Sequence, residues 1–390
     1  MRINVSLLNI YYYLCFLYDN THCYFFGLYH RLTRRDYHRL RVWIYLLLFT
    51  HITLLWSLMS YITYLSSFLI LCFIKNRVEE KYEHKRSPMN VIQTRRIDYE
   101  SPDISYTVIT GEWCGRRKYM EDRILDMTDH QIYGVFDGHG GSDVADHLLT
   151  NFEPVYSNIS DKISNTSQVL TDTFNRLEEE IEEGNLKGGS TGTVVKIESS
   201  LLQTVSIGDS EAWVLTDNQK TVRLNKLHSF GSFDEYYRYV RGLAFEGKVD
   251  SLKKSNVIRT QTGLMPTRSF GDLIHKRNDP LLLSVPDTTE IEFTKGDWEI
   301  VVIGSDGLFD GLNMRQIIEE MERTGVRSDL NKYNVSKAEM TNFIKRLHEI
   351  TTRIPNTYDK IKGFYGGDNC SICLIIRGDH IGSAEEWDSE

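Results

Sequence analysis

The sequence predicts an α+β fold in which antiparallel β-sheets carry α-helices on their outer faces. Three observations lead there. Short β-rich runs follow one another too closely for the crossovers that parallel strands need. Helical stripes come in blocks instead of alternating with strands. A charged linker separates a hydrophobic N-terminal region from a continuous globular pattern.

From the N-terminus, residues 1–74 form the hydrophobic region. The run from Val42 to Ile74 spans 33 residues without one Asp, Glu, Lys or Arg. About 20 such residues suffice to cross a hydrocarbon core, and Trp43, Trp56, Tyr61 and Tyr64 are the aromatics expected near headgroups. The run is therefore read as a membrane anchor over about 42–74. Five basic residues precede it (Arg31, Arg34, Arg35, Arg39, Arg41) and five follow (Lys75, Arg77, Lys81, Lys85, Arg86), so the charge rule gives no orientation. A second apolar stretch, Ile3 to Tyr18, lacks the small-residue cleavage site of a secretory signal. The alternative is that this region is a wrongly assigned start and the working protein is cytosolic. Residues 75–94 are the linker, 95–378 the globular domain and 379–390 a polar tail.

Within the domain, "GSTGTVVKIE", "LLQTVSIGD" and "EAWVLTDNQKTVRLN" read as strands divided by turn signals. Leu170, Phe174, Leu177 and Ile181 recur at helical spacing, with Gly184 as the stop. Ser336 and Glu339 form the pattern of a capping box opening a helix whose stripe is Met340, Phe343, Ile344 and Leu347.

Composition narrows function modestly. At 41% hydrophobic residues the chain of 390 can build a sizeable core, and a net charge of −9 argues against a protein that neutralises nucleic-acid phosphates. Six cysteines are scattered; only Cys370 and Cys373, in "CSIC", have suggestive spacing, and no second pair or histidine pair accompanies them. They are read as small core residues of the strand "CSICLII", in a reducing compartment.

The chemistry is concentrated where strands end. "QIYGVF" runs into Asp137-Gly138-His139; "EIVVIG" runs into Ser305-Asp306-Gly307; Asp209 lies between two strands; Asp368-Asn369 enters another; Glu121 and Asp122 follow a basic run. Any one Asp-Gly is an ordinary turn. Several acids converging at one rim repel one another unless a cation neutralises them, and hard carboxylate oxygens suit Mg²⁺ or Mn²⁺. No EF-hand spacing is present.

Taken in order, "RRKYMED", "VFDGHGG", "GGSTGTVV", "SIGDSEAW", "GLMPTRSFGD", "GSDGLFDG" and "GGDNCS" resemble the metal-dependent serine/threonine protein phosphatases of the protein phosphatase 2C family. The resemblance runs from about Thr107 to Ile376. It implies a sandwich of two antiparallel sheets flanked by helices, four layers αββα. It also implies that Glu121, Asp137, the Gly138 carbonyl, Asp306 and Asp368 surround two Mg²⁺ or Mn²⁺ ions, with Asp137 bridging. Asp122 is a supporting acid, and Asp209 with Asp306 matches a weaker third site. Arg117 matches the phosphate-binding arginine, and His139 the candidate general acid, its plainer reading being a turn histidine. Hydroxide held between the metals would attack phosphoserine or phosphothreonine of protein substrates.

The sequence departs from the family at Glu211, where arginine is usual, and in "RLNKLHSFGSFDE", which lacks the usual Asp-His-Lys-Pro. Those departures keep open an adaptor of the same fold that binds a phosphoprotein without turnover. A catalytic region acting on phosphoproteins is expected to face the cytosol, leaving the sequons at Asn158, Asn165 and Asn334 unused.

Overall fold

A strand buried on both faces needs apolar residues at every position, and two segments meet that demand. The strands Trp298–Gly304 and Cys370–Arg377 are buried throughout. In the computed structural model they pair as neighbours at the centre of a six-stranded antiparallel sheet. The structure describes residues 93–101, 103–248, 258–293, 297–329, 332–352, 367–378 and 381–383. The chain divides into units Met1–Arg86 and Ser87–Glu390. The predicted anchor at 42–74 lies outside the described residues, among which no helix is long and apolar enough to cross a membrane.

The six-stranded sheet takes the order β1 (Gln93–Glu100), β2 (Ser105–Trp113), β16 (Cys370–Arg377), β13 (Trp298–Gly304), β9 (Glu211–Thr216), β10 (Thr221–Arg223). The facing sheet has five strands: β12 (Asp287–Glu292), β8 (Leu201–Ile207), β7 (Gly192–Ile197), β4 (Ile132–Phe136), β3 (Arg123–Met127). Side chains alternate between faces with period two. Val301, Ile303, Cys373 and Ile375 therefore meet Tyr133, Val135 and Val195 of the other sheet in a central core. Ile300, Val302, Ile372 and Leu374 point the opposite way, against helices.

Those helices are α6 (Met314–Thr324) and α7 (Lys337–Thr351), which contribute Ile317, Met321, Phe343 and Leu347. Helices α1 (Asp143–Ser160) and α2 (Thr166–Gly184) cover the five-stranded sheet through Leu148, Phe152, Phe174 and Leu177. The expected αββα layering is present. Between these pairs lie α3 (Phe233–Phe245), α4 (Leu273–Asn278) and the single turn α5 (Asp306–Phe309).

Three local expectations are refined. Helix α2 runs through Gly184, and the left-handed residue that ends it is Asn185, at φ 46°. Ser336 accepts from the Glu339 amide, but its own amide is given to Asn334 Oδ1 at 3.0 Å; the complete capping box is Asn313 with Gln316, opening α6. Pairing is not all antiparallel, because β15 (Lys332–Asn334) meets β17 (Ile381–Ser383) in parallel.

Strand alternation also decides the cysteine pair. Cys370 packs in the helix-side core and Cys373 between the sheets. A spacing of three on a strand puts them on opposite faces, so they cannot close on one metal ion.

Candidate active site

Two acids sit where central strands end. Strand β4 ends at Phe136 and delivers Asp137; β13 ends at Gly304, and Ser305 leads into α5 with Asp306 as its first residue. Ser305 is tied across to β16, accepting the Ser371 amide on its hydroxyl at 3.0 Å and donating its own amide to the Ser371 carbonyl at 3.1 Å.

Asn369 fixes the loop that follows β2. Its Nδ2 donates to the carbonyls of Cys114 and Tyr119, each at 3.0 Å, while its Oδ1 accepts the Glu121 amide at 2.8 Å. This stitching brings residues 114–121 against Asp368, and Arg117 Nη2 then donates to Asp368 Oδ2 at 2.6 Å. The Arg117 side chain is 57% exposed, open to an incoming anion. Burial works against its charge, and Asp368, Asp306 and Glu121 outweigh that cost. Glu121 Oε1 accepts the Gly141 amide at 3.1 Å. A side chain at Gly138 would strike the Glu121 carbonyl oxygen at 2.5 Å, so only glycine lets this loop lie so close to Asp137.

The acids perturb one another. Asp122 is wholly buried, neither carboxylate oxygen makes a hydrogen bond of acceptable geometry although Ser305 and Ser371 flank it, and burial followed by the charge of Asp306 pushes its pKa up to about 7. Burial and then the charges of Asp122, Asp306 and Asp368 hold Asp137 well above the carboxylate range. Asp137 and Asp306 lie close enough to share a proton, and burial raises Asp306 as well. Asp209, in the turn after β8, is pushed to about 7 by burial and Asp306. Asp310 is exposed to solvent at the groove, and partial desolvation with the charges of Asp306 and Asp209 raises its pKa.

A small antiparallel sheet holds the histidine. In it β6 (Gly189–Ser190) lies between β5 (Gly138–His139) and β11 (Phe270–Gly271). His139 Nε2 meets Asp272 Oδ2 at 2.7 Å. Burial opposes protonation of the ring, but the Asp272 carboxylate outweighs it and raises the pKa above the ordinary histidine value.

Glu211 is pinned by the Trp213 indole at 2.8 Å and by Arg223 at 3.1 Å. It lines a groove of about 370 Å³ with Asp209, Asp306, Asp310, Phe309 and Met265.

The model of the family described as protein phosphatase 2C matches residues 108–347. The chain belongs to the protein phosphatase 2C family. It is 28% identical over 237 residues to a probable protein phosphatase 2C 4 of Paramecium tetraurelia, covering 54% of this chain and 74% of that one. Over 219 residues it is 27% identical to a probable protein phosphatase 2C 11 of Arabidopsis thaliana, covering 55% and 56%. Among solved structures, a C. elegans sex determining protein superimposes with TM-score 0.54 at 20% identity, over 71% of this chain and 66% of that one. A phosphatase from a pathogenic strain of Toxoplasma gondii gives 0.50 at 19%, over 70% and 93%. These two similarities speak for the fold alone.

As a member of the protein phosphatase 2C family, the chain is a protein-serine/threonine phosphatase of a metal-dependent class. Its donors fit such ions: all are hard oxygens, they lie in neighbouring loops, and Asp122 keeps both oxygens unpartnered although buried. Among the described residues no three His, Cys, Asp or Glu side chains are gathered closely enough to hold a metal ion.

Asp122, Asp137 and Asp306 thus lie near enough for their charges to act on one another, with Asp368 acting on all three and Asp209 next to Asp306, while Arg117 contacts Asp368, Glu121 contacts the Gly141 amide and His139 contacts Asp272. Sequence reasoning gave no role to Asp310, Asp272 or Asn369. Asp310 stands four residues after Asp306, hence on the same helical face, a legible signal. Asp272 and Asn369 lay inside quoted motifs, and their partners are far away in sequence.

Proposed function

We propose that this phosphatase hydrolyses phosphoserine and phosphothreonine of protein substrates at the carboxylate rim. Glu121, Asp137, the Gly138 carbonyl, Asp306 and Asp368 would hold two Mg²⁺ or Mn²⁺ ions, with Asp122 behind them and Asp209 beside a weaker third. The observation that carries the reading is a set of strand-end carboxylates, Asp122 buried among them, close enough to raise one another's pKa. When bound, the ions would neutralise phosphoryl charge and supply an acidified water as nucleophile.

The chain's own side chains do the rest. Arg117 offers a planar fork to two phosphate oxygens and exchanges Asp368 for the substrate. His139 holds a proton for the leaving serine or threonine oxygen, a contribution of roughly 10²–10⁴-fold for general acids. The acidic groove beside Glu211 lies next to Asp306, so the unusual residue borders the bound substrate instead of replacing a ligand.

Membrane attachment through residues 42–74, with the catalytic region in the cytosol, is part of the same proposal and rests on the charge-free run.

Asp137→Asn and Asp306→Asn test the assignment. Each is expected to abolish phosphate release from a phosphothreonine peptide while circular dichroism stays that of the wild type. Activity retained in both variants would overturn it.

A further inference from the structure

Asp272 stands at the N-cap of α4, where an aspartate ordinarily accepts a backbone amide of the first helical turn. Its side chain makes no such bond. It is 2% exposed and turned instead toward His139 Nε2, 2.7 Å from Oδ2. Ser269 Oγ donates to the same oxygen at 2.7 Å.

The backbone around it is arranged for this contact. Asp272 takes φ 51°, a left-handed conformation that costs most residues energy. Its amide donates to the Gly188 carbonyl at 2.8 Å. The preceding Gly271 amide donates to Glu178 Oε2 at 2.9 Å, and Lys276 pairs with that glutamate, anchoring the loop on α2. A side chain at Gly189 would lie 2.4 Å from Asp272 Oδ2 and 2.5 Å from His139 Nε2. The glycine opposite both residues is thus the gap through which they meet.

We propose that Asp272 is the positioning residue of His139: its carboxylate takes Nε2, sets the ring's rotation and leaves Nδ1 as the nitrogen presented to the leaving oxygen. This deepens the reading of His139 as proton donor and rests on it. In the step concerned, the P–O bond to the leaving oxygen breaks, that oxygen takes the Nδ1 proton, and the alcohol departs. The neutral ring is then reprotonated from solvent, with Nε2 held by Asp272 throughout.

The test compares two leaving groups on the full-length chain with saturating Mn²⁺. A phosphothreonine peptide needs a proton at its leaving oxygen, whereas p-nitrophenyl phosphate releases an anion that is stable without one. The measured quantity is the ratio of the two rates. Asp272→Asn keeps the shape, and asparagine tolerates left-handed backbone; Asp272→Ala removes the contact altogether. Both are expected to lower the ratio about 10-fold or more, within the range of general-acid effects. His139→Ala is expected to lower it at least as far, and the His139→Ala/Asp272→Ala double variant no further than His139→Ala alone.

A merely structural role would depress both substrates alike, or make the two losses multiply; either result overturns the proposal. A His139→Ala ratio equal to wild type overturns the proton-donor reading itself, and the proposal with it. Thermal unfolding of each variant, close to wild type, separates these outcomes from loss of fold.

Discussion

Replacing Asp122 by asparagine should stabilise the metal-free protein while disabling its metal site. An aspartate in the unfolded chain ionises near 3.8, whereas buried Asp122 holds its proton to about 7. Between those values the folded protein binds a proton that the unfolded chain releases, so stability falls as pH rises across the window. About three pKa units at roughly 1.4 kcal/mol each put the cost near 4 kcal/mol at about pH 7.5. The asparagine must bury an amide beside Ser305 and Ser371, which takes back about 1–3 kcal/mol. Urea unfolding in chelator at about pH 7.5 should therefore show Asp122→Asn more stable than wild type by about 1–3 kcal/mol, the gap closing toward about pH 5. Mn²⁺ at about 100 times its Kd should then stabilise wild type by about 2.7 kcal/mol and the variant much less. A variant less stable than wild type in chelator at the higher pH, or a gap indifferent to pH, would mean that Asp122 is not a destabilising buried acid.

Further outcomes follow from other parts of the fold. Asn369→Ala removes three hydrogen bonds that hold the Arg117 loop, and should cost about 3 kcal/mol in urea unfolding and lower kcat/KM on a phosphopeptide by about tenfold. Glu235 is buried, but its hydrogen bonds to Arg268, Arg238 and Thr267 outweigh desolvation and lower its pKa from 4.5 to about 2. Its stabilisation is complete above 4.5 and lost as pH falls toward 2, so Glu235→Gln should cost about 3 kcal/mol at neutral pH and progressively less in acid. Phe343→Ala should cost about 3–5 kcal/mol by opening a cavity under α7, while kcat of the protein that remains folded is unchanged.

Much of the fold was legible because burial on both faces and helical periodicity leave direct marks on sequence. The runs "EIVVIG" and "CSICLII" read as buried strands and are the sheet's centre. The same pattern hid what pairing decides. Nothing local says that β15 and β17 pair in parallel, or that Asn185 and not Gly184 turns left-handed. The acids were legible only as a set: any one Asp-Gly reads as a turn, and it is their recurrence at several strand ends that points to a site. Asp272 and Asn369 were not, because each looks like an ordinary cap or turn residue. Their partners are His139 and the Cys114–Glu121 loop, brought close only by the small β5–β6–β11 sheet and by β16 beside β2.

Whether this rim of carboxylates works as a metal-dependent phosphatase centre is decided by phosphate release from a phosphothreonine peptide as Mn²⁺ is added to chelator-treated full-length protein. Turnover should be absent in chelator, rise saturably with Mn²⁺ or Mg²⁺, and fail to rise in Asp306→Asn. Folded wild-type protein that releases phosphate equally well in chelator, or not at all with either metal, would contradict it.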